Sequence, residues 1–251
     1  MGKVGTGFST SLDGFIAGPN DSPERPLGDG GERLFAWYFG GDTEYTMPGS
    51  GMTLKVSPQS ADLLRESHEK TGALVVGRRH CDLANGWSGR HPMNLPVFVV
   101  SHSIPREWVY EGSPFTFVTS GVESAVERAR AIAGDKDVGV GGANIAQQAI
   151  KAGLVDEVGV DLVPVLLGGG VRFFDHLGDG RIELERTRVI EAPGVTHLRF
   201  RVVKGIDGTK LLLTSAGPYS NNHLMGEGSG TTMTYNYADG RNPPEGRLDI
   251  I

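Results

Sequence analysis

Apolar residues along this chain fall into short runs separated by glycine-rich turns, and the period of the runs switches repeatedly between strand-like and helix-like. Residues 3–17 (KVGTGFSTSLDGFIA) read as a first strand broken at Asp13-Gly14, with Ser9, Ser11 and Asp13 alternating onto one side. Ala73–Val76 is a continuous apolar run of the kind shown by parallel strands buried on both faces, and Pro96–Val100 and Phe115–Thr119 are two more apolar strands. Between the strands the pattern turns helical. Ser57-Pro58 supplies a cap and a first-position proline for a helix to about Lys70, with Leu63 and Leu64 inward. Ser120-x-x-Glu123 reads as a capping box ahead of a stripe made by Val122, Ala125, Val126 and Ala129.

The most informative stretch is 137–153, DVGVGGANIAQQAIKAG. A β-branched run meets Gly141-Gly142, and a helix follows at once with Ile145, Ala149 and Ala152 on one face and Gly153 at its C-terminal cap. Strand, glycine turn and helix N-terminus form an anion-binding arrangement, because glycine admits a close approach and free N–H groups point at the ligand. The plain alternative is a tight turn with no ligand. Gly77-Arg78-Arg79 is a second such turn, placing two guanidinium groups at a strand end, where arginine binds phosphate bidentately. Further on, Val155–Leu167 is a long strand candidate that Pro164 bends or marks as an edge, and Gly168-Gly169-Gly170 reads as a turn or a close backbone approach. Arg181–Arg188 and Val195–Val203 read as antiparallel strands completing an edge.

Two segments fit no simple period. Residues 18–56 are long, irregular and rich in Gly and Pro, with the aromatic cluster LFAWYFG at Leu34–Gly40. Such a segment is either a lid over a ligand or a small helix packed on the core. Residues 204–251 are glycine-rich with few aliphatics, which predicts an extension separate from a domain over residues 1–203, with a hairpin or disorder in it.

Composition narrows the function classes. A chain of 251 residues with 38% hydrophobic and 22% charged residues has the make-up of a soluble globular protein. Its net charge of −6 argues against a nucleic-acid surface. The single cysteine, Cys81, leaves no disulfide framework or cysteine-rich zinc site, and no metal is expected. With no membrane-length apolar run and no leader, a cytoplasmic enzyme of small molecules is the expectation.

SLDGFIAGP, ALVVGRR, PVFVVSHS, VGVGGANIAQQAIKAGLVDEV and VPVLLGGG occur here in the order found in dihydrofolate-reductase-like proteins. Over residues 3–203 the chain resembles the C-terminal reductase domain of the bifunctional riboflavin-biosynthesis enzyme. The resemblance implies a three-layer α/β/α fold around a mixed, mostly parallel sheet, a homodimer, and NADPH as cofactor. By position it implies that Gly77, Arg78 and Arg79 meet the adenosine 2′-phosphate and pyrophosphate, that Ser101 and His102 add a second contact, and that Gly141, Gly142, Ala143, Asn144 and Ile145 form the pyrophosphate turn. Ser11 and Asp13 resemble the substrate side, with Trp37 and Trp87 as candidate pocket walls and Asp13 the candidate for orienting substrate or relaying a proton. For Asp13 the alternative is a turn residue bonding its own backbone.

The departures are specific. The family often has threonine where His80 stands, and a buried structural histidine is the competing reading there. The His-x-Glu and Pro-Cys-x-x-Cys zinc site of the deaminase half is missing, so the bifunctional enzyme is not expected. Asp62 falls one position off an ungapped match to the acid that contacts the pterin of dihydrofolate reductases. The leading expectation is an NADPH-dependent reductase of a small heteroaromatic or carbonyl-like substrate. Its rivals are the 5-amino-6-(5-phosphoribosylamino)uracil reductase of riboflavin biosynthesis, a non-catalytic nucleotide- or drug-binding protein on the same fold, and a Rossmann enzyme using Gly139-x-Gly141 with an acid at Asp161.

Overall fold

In the computed structural model, which describes residues 2–105, 108 and 112–204, the long apolar runs all become strands of one sheet. The elements are β1 (Val4–Ser11), β2 (Phe15–Ala17), a 3-10 helix (Gly31–Tyr38), β3 (Thr43–Thr46), β4 (Thr53–Val56), α1 (Pro58–Lys70), β5 (Thr71–Gly77), α2 (Arg78–Leu83), β6 (Val97–Val100), β7 (Phe115–Val118), α3 (Val122–Ala133), β8 (Asp137–Gly141), α4 (Ala143–Lys151), β9 (Glu157–Val163), β10 (Val171–Arg172), β11 (Leu184–Ala192) and β12 (Val195–Val202). Eight strands pair in the order β11-β12-β9-β1-β8-β5-β6-β7. The six from β9 to β7 run parallel, and β12 and β11 close one edge antiparallel. From residue 205 on, the glycine-rich extension expected over 204–251 lies outside the described residues.

Alternation along the strands sorts their side chains into two layers. Val4, Ala73, Val75, Val138, Val140 and Val158 face α3 and α4 and bury against their stripes, including Val122, Ala125, Val126, Ala129, Ile145 and Ala149. The opposite face is covered by α1, the 3-10 helix and the β3–β4 hairpin around Leu34, Trp37, Leu54, Val56 and Ala61. Further along that face Cys81 of α2, with Trp87 and Trp108, covers Val76, Val97, Val99, Phe115 and Phe117. The fold is therefore the expected three-layer α/β/α arrangement around a mixed, mostly parallel sheet. Across β9, β1 and β8 this second face carries glycine at Gly159, Gly5, Gly7, Gly139 and Gly141, so the middle of the sheet presents backbone where its neighbours present side chains.

Local chemistry explains most boundaries. Ser57 caps α1 by accepting from the Ser60 N–H at 3.1 Å, a contact worth about 1 kcal/mol. Gly153 follows α4 with φ +69°, and the Leu154 N–H reaches back to the Ala149 carbonyl at 3.0 Å, closing the helix as its sequence suggests. β9 stops at Val163, where Pro164 has no N–H to continue the ladder. Two expectations need correction. The capping box at Ser120 is not made: α3 starts after Gly121, whose φ of +97° turns the chain without help from a side chain. Within the irregular segment 18–56, residues 31–56 take the packed alternative, as a 3-10 helix and a β3–β4 hairpin that the sequence reading did not include.

Candidate active site

The carboxyl ends of the parallel strands β1, β8, β5 and β6 lie side by side, and each carries one of the residues singled out from the sequence. Gly77 ends β5 and Gly141 ends the adjacent β8, so the two glycine turns are neighbours. They also touch. A Cβ on Gly77 would lie 2.8 Å from Cγ1 of buried Ile145, so only glycine lets the first turn of α4 seat against the start of α2. Gly142, which begins α4 with no side-chain cap, has φ +86° and ψ +129°, backbone geometry that L side chains rarely adopt. The Gly141–Gly142 peptide is trans, since no cis bond occurs among the described residues. Asn144 is exposed and accepts from Gln148 Nε2 at 2.7 Å, while Gln147 turns inward and its Nε2 donates to the Arg172 and Phe173 carbonyls.

His80 underlies this turn. Its side chain lies against Gly141 and Gly142, close enough that a Cβ on Gly141 would meet the ring at 3.3 Å and one on Gly142 would meet it at 3.4 Å, and Trp87 packs edge-on at 5.5 Å between centroids. Burial holds the imidazole pKa below its usual value, with the Gly141 backbone pulling the other way. Its Nδ1 is buried and has no hydrogen-bond partner. Behind it, Asn85, Gly86, Trp87, Ser88 and Gly89 all have positive φ, a left-handed turn at a cost of about 1–2 kcal/mol for each non-glycine residue. The sequence carried only the Asn-Gly pair as a hint of it.

The arginines of α2 both hold carboxylates. Arg78 Nε donates to both oxygens of Asp82, at 2.7 and 2.9 Å, one helical turn on. Arg79 reaches outward to Asp21, 58 residues away in the chain. Next to Val100 at the end of β6, Ser101 is buried and its hydroxyl donates to the Ser103 carbonyl at 2.6 Å, whereas His102 is exposed.

On the β1 side the geometry favours the turn reading of Asp13. Its carboxylate accepts from Ser11 Oγ at 2.6 Å, Gly168 N at 2.7 Å and Leu167 N at 3.1 Å, so it ties the loop after β9 to the end of β1. The Ser11 hydroxyl, and with it the Gly168 and Leu167 amides, holds the carboxyl down to about 2, so it stays ionised at neutral pH and has no proton to give. Ser11 is itself buried and also accepts from Phe15 N at 2.9 Å, so its hydroxyl builds the turn rather than a substrate contact. Gly168-Gly169-Gly170 is the close approach: a Cβ on Gly170 would fall 2.0 Å from the Ala17 carbonyl oxygen. Because the folded pKa of Asp13 lies below the unfolded one, its contribution is present above about pH 4 and fades as pH falls toward 2. Thermal melts should show Asp13→Asn below wild type at pH 6, the two curves converging near pH 2; equal melting at both pH values contradicts the assignment.

Trp37 is corrected too. It is 4% exposed, donates Nε1–H to Ser9 Oγ at 3.0 Å and packs edge-on against His197 at 5.1 Å, which makes it core and not pocket wall. It roofs a buried polar chain that the sequence did not suggest. Ser60 Oγ meets His197 Nε2 at 2.9 Å, and His197 Nδ1 meets Asp161 Oδ1 at 2.8 Å. Arg199 also donates to Asp161 at 2.9 Å. Desolvation pushes the Asp161 carboxyl up, but the His197 bond and the Arg199 charge together outweigh it and hold the pKa below normal. Asp161 is thus committed inside the fold, which removes it from the ribose-binding part that the Rossmann alternative needs. Among the described residues no cluster of His, Cys, Asp and Glu has metal-binding geometry, and no helix is long and apolar enough to cross a membrane.

Known proteins share this fold. A structure described as a riboflavin biosynthesis protein, from Shewanella sp. PV-4, is 21% identical with a TM-score of 0.60, covering 80% of this chain and 99% of that one. Dihydrofolate reductase from Enterococcus faecalis, complexed with NADP(H), is 13% identical at a TM-score of 0.49 over 80% and 96% of the two chains. A pyrimidine reductase-like protein from Corynebacterium diphtheriae gives 13% and 0.49 over 81% and 93%. No curated protein sequence matches. The family model for the RibD C-terminal domain matches residues 3–198, and the chain belongs to that family, the reductase type of riboflavin biosynthesis.

Proposed function

We propose that the protein is an NADPH-dependent reductase of a small heteroaromatic or carbonyl-like substrate. The observation that carries this is the contact between the two glycine turns. Gly77-Arg78-Arg79 and Gly141-Gly142 end adjacent parallel strands and pack through Ile145, so cationic side chains and an uncapped helix start converge on one edge of the sheet. These are the kinds of group a phosphorylated dinucleotide needs, backbone N–H groups at its pyrophosphate and an arginine fork at a 2′-phosphate. A side chain at Gly142 would press on His80 beneath the turn and distort the start of α4, and glycine avoids this. NADPH, when bound, supplies the hydride.

The chain's own residues would then orient rather than react. The first N–H groups of α4 hold the pyrophosphate, Arg78 and Arg79 hold the 2′-phosphate with His102 at the rim, and Ser101 fixes that rim through Ser103. Asp13 holds the 164–170 loop over the end of β1, so that the substrate side keeps its shape. The ribosylaminouracil substrate of riboflavin biosynthesis is the reading the family match favours among heteroaromatics. A homodimer in the cytoplasm remains the expectation for its setting.

Titration with NADPH and NADH, followed by nicotinamide fluorescence, tests the proposal. Arg79→Ala is expected to weaken NADPH about tenfold, one charge-assisted contact at an exposed position, and to leave NADH nearly unchanged. Arg78→Ala should act in the same direction. If neither nucleotide binds the wild-type protein, the glycine turns are structural and the reductase reading is wrong. If NADPH binds but is never oxidised by a panel of pyrimidine, pteridine and carbonyl substrates, the non-catalytic binding protein is the better description.

A further inference from the structure

We propose that Asp21 is a built-in competitor for the phosphate that Arg79 would bind, and that it thereby sets how strongly the protein prefers a phosphorylated over a plain dinucleotide. The inference rests on the cofactor reading above and goes beyond it by assigning a selectivity-determining residue outside the glycine turns.

Asp21 belongs to a lobe that leaves the end of β2 and returns to the 3-10 helix. The neck is closed by backbone bonds from Gly18 N to Leu27 O at 2.8 Å and from Asp29 N to Pro19 O at 2.7 Å. It is so tight that a Cβ on Gly18 would lie 1.9 Å from the Asp29 carbonyl oxygen. Inside the lobe, Ser22 and Arg25 exchange backbone bonds, Arg25 pairs with Asp29, and Asn20 Nδ2 donates to Asp29 at 2.7 Å. These internal bonds fix the shape of the lobe and seat Asp21 at its tip.

That tip holds Arg79. The Asp21 carboxylate lies 2.8 Å from Nη2 and 3.3 Å from Nε, and the Asp21 carbonyl accepts from Nη2 at 3.1 Å. Three oxygens on one guanidinium fork are what a phosphate would present. The Asp21 side chain is 14% exposed and the Arg79 side chain 68%, so the acid is seated and the arginine keeps an open side.

A 2′-phosphate arriving at Arg79 must displace the carboxylate or sit beside it against like charge. NADH carries a hydroxyl there and leaves the pair intact. The acid therefore weakens NADPH selectively and levels a preference that the arginines alone would make steep.

The test is to titrate the full chain, its Asp21→Asn variant and its Arg79→Ala variant with NADPH and with NADH, and to follow amide hydrogen exchange over residues 19–29 with and without NADPH. Asn keeps the shape and removes the charge. Asp21→Asn is expected to bind NADPH about three- to tenfold more tightly, the range for losing an exposed but bidentate ion pair, with NADH within about twofold of wild type by the same reasoning. NADPH should also speed exchange over 19–29 in the wild type. Unchanged or weaker NADPH binding in Asp21→Asn, with Arg79→Ala still impaired, overturns the competitor while the cofactor reading stands. Absence of nucleotide binding in all three proteins overturns both.

Discussion

Replacing Gly142 by alanine is expected to reduce NADPH affinity about a hundredfold, a loss of the size that follows a shift of about 1 Å in a binding constellation. Gly142 has φ +86° with ψ +129°, a combination that alanine adopts only under strain of roughly 1–3 kcal/mol. A Cβ there would also lie 3.3 Å from Cβ of His80, which is backed by Trp87 and has little room to retreat. The cheapest relief is rotation of the adjacent peptides, and those are the peptides whose N–H groups open α4. Stability should fall by about the strain energy, while the ligand loses its donors. Urea melts and an NADPH titration of the same variant separate the two. Stability lost with affinity intact would show that the turn is a structural corner and not a cradle. Retention of both would show that the glycine is dispensable.

The second large effect is expected at His197, far from the glycine turns. His197→Ala deletes the buried link between Ser60 and Asp161 and leaves a void beneath Trp37. His197 is fully buried, but Asp161 is 20% exposed and keeps Arg199 at 2.9 Å, so the stranded carboxylate is not wholly uncompensated. The loss should therefore sit near the lower end for breaking a buried charged network, about 3 kcal/mol. His197→Gln, which retains one polar end, should recover part of it. The measurement is the urea midpoint at constant slope. A change below about 0.5 kcal/mol, the size of an ordinary surface substitution, would mean that the chain of bonds carries no stability.

These two sites differ in how far the sequence announced them. Gly141-Gly142 could be read directly, because a strand-like run, paired glycines and a helix-period stripe are consecutive in the chain and each follows from local backbone preference. The same holds for α1, whose Ser57-Pro58 start is a local signal, and for the strict alternation of β12. His197 could not be read. Its partners, Ser60 and Asp161, come from α1 and β9, and nothing in the chain says that a histidine in an alternating strand will meet a serine 137 residues earlier. The Asp21–Arg79 contact was hidden for the same reason. Asp13 is an intermediate case: its place before a glycine suggested a turn, and its place at a strand end suggested chemistry. The Leu167 and Gly168 amides, which decide for the turn, come from a distant loop. Ser120 failed differently. It had the right spacing for a cap, but the positive φ of Gly121 let the chain enter α3 without one.

The position of β1 in the sheet has a consequence for how the molecule is made. Its first residues pair with Val138 and Glu157, so both of its edges wait for chain that is synthesised more than 130 residues later. At bacterial or eukaryotic elongation speeds that delay is roughly 7–30 s. Until then β5, β6 and β7 can align with one another, and the strand around which the finished sheet is ordered has no partner of its own. The ribosome-bound chain thus passes through a stage with a half-sheet and, at its amino end, a strand whose backbone N–H and C=O groups have no ladder partner on either edge.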